Sequence, residues 1–250
     1  MVELTNRLRK VVASLDDAKA RRETGMFAAE GTKCVLDTLS HFDCVWLFAT
    51  AKWLGAHPLK LGEDKICQVT RGDLERMSHF STAPEVIAVY RIPEIKSAPV
   101  AESLQLALDR VQDPGNLGTI IRIADWFGIK DIFCSAGTAD VYNPKVVQAT
   151  MGAISRVRVH YVDLPEFLSK SQVPVYGTFL DGDNLFTSPL SSSGIIVMGN
   201  EGQGISPEVE KRVSSRLTIP SYPVGEPTSE SLNVGMATSI IVAEFRRRQF

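Results

Sequence analysis

Ile195-Ile-Val-Met-Gly-Asn-Glu-Gly-Gln-Gly-Ile-Ser206 decides how this chain is read. Its apolar start has strand length, and no polar residue interrupts it. Such a strand is buried on both faces and belongs to a parallel sheet covered by helices. It runs directly into Gly199, Asn200, Glu201, Gly202 and Gly204. In open parallel sheets the loops leaving the carboxyl ends of strands hold the ligand. Glycine there lets main chain approach it closely. The order G-x-x-G-x-G is not the dinucleotide G-x-G-x-x-G, and no G-K-[ST] follows to make a Walker loop.

The pattern on either side agrees. Upstream, 104–108 reads as a strand, 117–127 as a helix ended by Gly128, 131–134 as a strand, and 145–151 as a helix after Pro144. Strands at 157–160 and 173–178 flank a short helix at 165–169. Downstream, Ser206 opens a helix at 207–213, followed by a strand at 217–219 and a long helix at about 232–248. Alternating strands and helices predict a mainly parallel α/β sheet with helices on both faces. The first ninety or so residues form a smaller α/β pattern. Helices are expected at 1–24, 32–41 and 71–77, and strands at 44–49, 66–69 and 86–90. The proline-bearing stretch 92–100 reads as a linker, so the expected domains are 1–95 and 103–250.

Composition sets the class. The chain has 250 residues, 44% hydrophobic and 22% charged, which is ordinary for a globular protein. No apolar run is long enough to span a bilayer, and the polar opening MVELTNRLRK lacks a signal-peptide core. These features predict a cytoplasmic protein without membrane contact. Cys34, Cys44, Cys67 and Cys134 form no C-x-x-C pair and the four histidines are scattered, so no metal site is expected and buried reduced thiols are. The net charge of −2 gives no general basic surplus for nucleic acid. Positive charge is nevertheless crowded at Arg7, Arg9, Lys10, Lys19, Arg21 and Arg22, and again at Arg246, Arg247 and Arg248. Each crowd is either a solvated helix face or a phosphate contact.

Two further clusters break the α/β pattern. Asp113-Pro-Gly-Asn-Leu-Gly-Thr-Ile-Ile-Arg122 makes a tight turn into a helix start, where free amides and the helix dipole suit an anion. Ile120, Ile123, Ala124 and Phe127 form the expected buried stripe, with Arg122 on the opposite face. Arg122 is then either functional or paired with Asp125, and Asn116 either functional or a helix cap. The other cluster runs from Ile219-Pro220 through a proline-rich loop to Ser231-Leu-Asn-Val-Gly-Met-Ala237. Small residues allow close helix packing, and Ser229 or Ser231 is a candidate cap.

In this order the three clusters resemble the three signature motifs of the SpoU (TrmH-like) RNA methyltransferases of the SPOUT superfamily. D-P-G-N-L-G-T-I-I-R-I-A carries the first, M-G-N-E-G-Q-G-I-S the second, and I-P with S-L-N-V-G-M-A the third. Glu30-Gly31-Thr32-Lys33 is similar to the opening of the family's ribosomal-protein-like substrate-binding domain. The resemblance implies a parallel-sheet domain with a deep trefoil knot, S-adenosylmethionine as cofactor, RNA as substrate and a homodimer. It implies cofactor contacts at Thr178, Gly199, Asn200, Glu201, Gly202, Ile219, Ser231, Leu232 and Asn233. It also implies Arg122, Asn116, Glu201, Ser231 and Asn233 as the catalytic set, with Arg122 reaching the partner's cofactor. Arg122 then either fixes ribose and phosphate or accepts the proton. The reaction implied is methylation of a ribose 2′-hydroxyl, in ribosomal rather than transfer RNA because of the extra N-terminal domain.

Two departures from the family pattern stand out. The loop 221–230 is long and carries Pro223 and Pro227, and Ala83-Pro-Glu-Val86 replaces a P-Q-G stretch. A catalytically silent RNA- or ribosome-binding factor on the same fold is the alternative, favoured by the acidic balance and disfavoured by three intact clusters. A nicotinamide oxidoreductase requires the missing G-x-G-x-x-G.

Overall fold

The computed structural model describes residues 1–95, 103–223, 226 and 228–249. Parts of the linker read at 92–100 and of the loop read at 221–230, Pro227 included, lie outside the described residues. The chain divides into two compact units: Met1–Glu94 with Asp140–Ser155, and Ile95–Ala139 with Arg156–Phe250.

The first unit opens with α1 (Asn6–Ala13) and α2 (Ala18–Thr24). They are separated where Asp17 becomes extended and caps α2 through the Lys19 and Ala20 amides. There follow β1 (Met26–Glu30), α3 (Thr32–Thr38), β2 (Cys44–Ala49), α4 (Ala51–Ala56), β3 (Ile66–Gln68), α5 (Arg71–Met77) and β4 (Val86–Arg91). The sequence reading omits β1 and α4. Alanines and a glutamate disguise β1, whose residues are nevertheless all buried. The sheet order is β1-β4-β2-β3, antiparallel except between β2 and β3. Val12, Leu15, Phe48, Leu74, Met77 and Ile87 belong to its core. All four cysteines of the chain are free and buried, and burial pushes the Cys34 and Cys44 thiols up to about 12.

The second unit contains β5 (Leu104–Leu108), α6 (Pro114–Trp126), β6 (Asp131–Cys134), β7 (Arg158–Tyr161), α8 (Leu164–Ser169), β8 (Val175–Asn184), β9 (Gly194–Met198), α9 (Pro207–Glu210), β10 (Ser215–Thr218) and α10 (Val234–Arg247). Its six strands form one sheet, β10-β8-β9-β5-β6-β7, and every adjacent pair is parallel. The parallel α/β reading therefore holds. β5 and β9 are buried along their whole length, and Ala107, Phe133, Leu164, Val175, Ile195 and Val197 share one core.

Helix α6 begins three residues before the expected start, because Asp113 caps it and Pro114 needs no amide partner in the first turn. Its buried face is Leu117, Ile120, Ile121 and Ala124, so Ile123 and Phe127 are only partly covered. The long C-terminal helix starts at Val234 rather than about 232. The helix read at 145–151 is α7 (Pro144–Thr150), and it packs with the first unit although its sequence position suggested the second domain. The Phe27 and Tyr142 rings stand 4.7 Å apart there, and the Arg21 guanidinium meets Asp140 at 2.6 Å. No helix among the described residues is long and apolar enough to cross a membrane.

Candidate active site

Strands β5, β6 and β7 wind toward one edge of the sheet, while β9, β8 and β10 extend to the other. The direction changes between β5 and β9, and such a switch opens a crevice at the carboxyl ends. Leu108 and Met198 are level there. Asp109 accepts the Ser206 amide at 2.6 Å, Asn200 Nδ2 donates to the Arg110 carbonyl at 2.8 Å, and Arg110 donates to Gln203 at 2.9 Å. The Asn200 side-chain oxygen also accepts the Gly202 and Gln203 amides at 3.0 and 2.9 Å. Asn200 thus closes the 199–206 loop and ties it to the end of β5.

That closure accounts for two glycines. A Cβ on Gly199 would lie 2.4 Å from the Gly204 carbonyl carbon, and Gly204 has φ of +68°. At Gly202 the nearest atom to an added Cβ is Asn200 Oδ1 at 3.8 Å, so the loop's own packing does not require glycine there. Arg110 holds φ of +60°, a conformation costly for any residue but glycine. Sequence reasoning missed it. The available signal was its position directly after the strand-ending Asp109.

The three motifs meet through a chain of side-chain hydrogen bonds. The Asn233 side-chain oxygen caps α10 by accepting the Gly235 and Met236 amides at 2.9 and 3.3 Å. Its Nδ2 donates to Asn116 Oδ1 at 2.9 Å, and Asn116 Nδ2 donates to Glu201 Oε1 at 2.9 Å. Each link fixes the orientation of the next amide, so the amino end of α10 is wired to the Glu201 carboxylate. Neither Ser229 nor Ser231 caps α10, and Asp113 rather than Asn116 caps α6. Gly235 permits the close approach of α10 to α6: a Cβ there would lie 3.2 Å from the Thr119 side chain. The two helices run side by side in the same direction, since Arg246 Nε donates to the Phe127 carbonyl at their far ends.

Other sequence-derived residues fall nearby without joining this chain. Thr178 Oγ1 donates to the Val197 carbonyl at 3.0 Å, joining β8 to β9. Ile219 is half-buried just after β10, and Ser231 and Leu232 are exposed. Arg122 is exposed on α6 and makes no hydrogen bond or ion pair with the described residues. Its suggested partner Asp125 instead pairs with Arg156 at 2.8 Å.

The basic crowds sort themselves. Arg21 is 2% exposed and bonded internally, and Arg9 pairs with Asp73, whereas Arg7, Lys10 and Arg22 remain exposed. At the carboxyl end, Arg247 and Arg248 grip Glu244, and the Arg247 hydrogen bond above all holds that carboxyl down at about 2. Arg248 also donates to the Leu185, Phe186 and Ser188 carbonyls. These C-terminal arginines are structural. Two surface concavities, of about 560 and 190 Å³, lie in the first unit and contain no motif residue.

Residues 103–243 match the SpoU rRNA Methylase family and residues 6–88 the MRM3-like substrate binding domain. The chain is 34% identical over 190 residues to the 23S rRNA (guanosine(2553)-2′-O)-methyltransferase RlmP of Bacillus subtilis, covering 74% of this chain and 71% of that protein. A TrmH-family protein from Porphyromonas gingivalis superposes with a TM-score of 0.88 at 41% identity, covering 98% of this chain and 99% of that one. An AdoMet-bound rRNA methyltransferase from Sinorhizobium meliloti gives 0.85 at 28% identity, covering 100% and 98%. With its three motifs joined at one sheet edge and more than half its length matched, the chain belongs to the SpoU rRNA methylase family.

Proposed function

We propose that this protein transfers a methyl group from S-adenosylmethionine to a ribose 2′-hydroxyl of ribosomal RNA, acting as a cytoplasmic homodimer. The observation that carries this reading is the hydrogen-bonded chain Asn233–Asn116–Glu201, which brings all three motifs to one place. The Bacillus subtilis relative is named for the same reaction on 23S rRNA, which favours ribosomal over transfer RNA.

The residues present suit the cofactor. The carboxyl ends of β10, β8 and β9 are consecutive. Leu180 and Leu232 are 77% and 48% exposed aliphatic side chains, and the Glu201 carboxylate stands in the next loop. Apolar surface beside a carboxylate suits a nucleoside with a cationic centre. Thr178, Gly199, Asn200, Glu201, Gly202, Ile219, Ser231, Leu232 and Asn233 would hold it. When bound, S-adenosylmethionine supplies a methyl group on a positively charged sulfur, already activated for transfer. The chain's task is then positioning and water exclusion. Asn116 holds Glu201 in one orientation. Arg122, a planar cation with several N–H donors and no acceptor, donates to the ribose and its flanking phosphate.

The dimer completes the site. Met236 and Ile240 are exposed one helical turn apart on α10, Leu232 is exposed just before the helix, and Trp126, one turn beyond Arg122 on α6, is 86% exposed. Exposed apolar surface of this kind favours a second copy, whose cofactor the unpaired Arg122 then meets. The trefoil knot belongs to the same reading. The first unit selects the RNA.

Titration calorimetry with S-adenosylmethionine and mass-spectrometric mapping of ribose methylations lost in a deletion strain test the reaction. Cofactor binding and one missing 2′-O-methyl in ribosomal RNA are expected. RNA binding without cofactor binding would leave only a catalytically silent factor. Light scattering tests the dimer: Trp126→Glu should yield monomers, and a monomeric wild type refutes the shared site.

A further inference from the structure

Strand β8 does not pair continuously with β10. The register passes from Arg216 opposite Gly177 to Leu217 opposite Asp183, so residues 178–182 arch out of the ladder. Both ends of the proposed cofactor site are tied to this arch. Thr178 Oγ1 donates to the Val197 carbonyl at the end of β9, and Thr218 Oγ1 at the end of β10 donates to the Leu180 carbonyl at 3.3 Å. Leu180, at the top, is exposed.

One side chain of β10 grips the arch from outside. The Arg216 guanidinium carbon lies 3.6 Å from the centre of the Phe179 ring. Its Nη2 donates to Asp181 at 2.6 Å, and its Nη1 pairs with Glu210 of α9. Phe179 and Asp181 flank Leu180 in sequence, so the two contacts constrain it on both sides. A planar cation that stacks on a ring while donating in its own plane to two carboxylates is a task lysine cannot reproduce.

We propose that Arg216 is a positioning residue for cofactor binding: it sets the shape of the 178–182 arch, and so the placement of Leu180, without touching the cofactor. This rests on the cofactor reading given above. Arg216→Met keeps an apolar chain over Phe179 and removes the charge. Arg216→Lys restores the charge without the fork. Asp181→Asn alters only the exposed partner, so its folding is not at stake.

The assay is calorimetric binding of S-adenosylhomocysteine to the full-length protein, together with melting temperature and methyl transfer at varied cofactor. Losing a charge-assisted contact predicts a Kd about 10-fold weaker for Arg216→Met and a smaller loss for Asp181→Asn. Arg216→Lys should recover only part. KM for the cofactor should rise in parallel, with kcat at saturation and melting temperature nearly unchanged. Wild-type affinity in both Arg216→Met and Asp181→Asn overturns the proposal while leaving the function intact. So does a fall in kcat and melting temperature that tracks the affinity loss, because that marks a general structural role. No binding by the wild type overturns the cofactor reading itself.

Discussion

Asn116→Asp puts the most direct strain on the proposed site. The substitution changes no shape. The new side chain still accepts from Asn233 Nδ2, but it presents an oxygen to Glu201 Oε1 where a donor stood at 2.9 Å. A hydrogen bond to a charged group contributes about 1.5–3 kcal/mol. Asn116 is half-buried and Glu201 exposed, so the lower end applies. Two carboxylates at that separation repel by about 1.4 kcal/mol at the dielectric of water. The sum is near 3 kcal/mol before either side chain turns away, so kcat/KM at pH 8 should fall roughly 10- to 100-fold. Stability should fall by no more than about 2 kcal/mol, because an acidic residue in the first turn of α6 offsets about 0.3–1 kcal/mol through the helix dipole. The paired carboxylates raise one another's proton affinity, so the defect should shrink as pH is lowered toward 6. Asn116→Ala, which lacks the new charge, should show no such recovery. Methyl incorporation from labelled S-adenosylmethionine, measured against pH for both variants, is the assay. Wild-type activity of Asn116→Asp at pH 8, or the same pH profile for both variants, refutes the reasoning.

Arg122→Ala should lower methyl transfer at least about 100-fold while leaving cofactor affinity and melting temperature near wild type; equal loss of cofactor binding contradicts its assigned role. Gln105 on β5 is 1% exposed, and neither of its side-chain polar atoms has a partner among the described residues. Gln105→Met should therefore raise stability by about 1 kcal/mol, read as a higher urea midpoint, and a lower midpoint would mean that the amide is satisfied. His79 is buried against Glu30 at 2.6 Å; burial alone would lower its pKa from 6.5, but the Glu30 hydrogen bond and charge outweigh that and raise it. Its contribution to stability is complete below pH 6.5 and is lost as pH rises through the elevated folded value. The urea midpoint of the wild type should fall across that range and that of His79→Gln should not; parallel curves count against the pair.

Much of the catalytic unit was legible because its signals are local. Buried runs such as Ile195–Met198 leave no polar face to hide, and turn chemistry at Pro114 and Ser206 marks helix starts regardless of what packs nearby. The N-terminal strand Met26–Glu30 was not legible, because alanine and glutamate become strand residues there only by pairing with β4. Strand order, the assignment of 140–155 to the first unit and the sorting of arginines into buried, paired and free are tertiary facts. No periodicity encodes them, since each depends on which distant partner arrives.

The sequence alone therefore determined the fold class, the three motif loops and the residue types they present. Only the tertiary structure decided that Asn116, Glu201 and Asn233, up to 117 positions apart, share one line of hydrogen bonds. It likewise decided that Arg122 has no mate within the described chain. A hydrogen bond requires two atoms within about 3 Å. Local patterns fix what each residue can donate or accept, and packing fixes which of those offers is met.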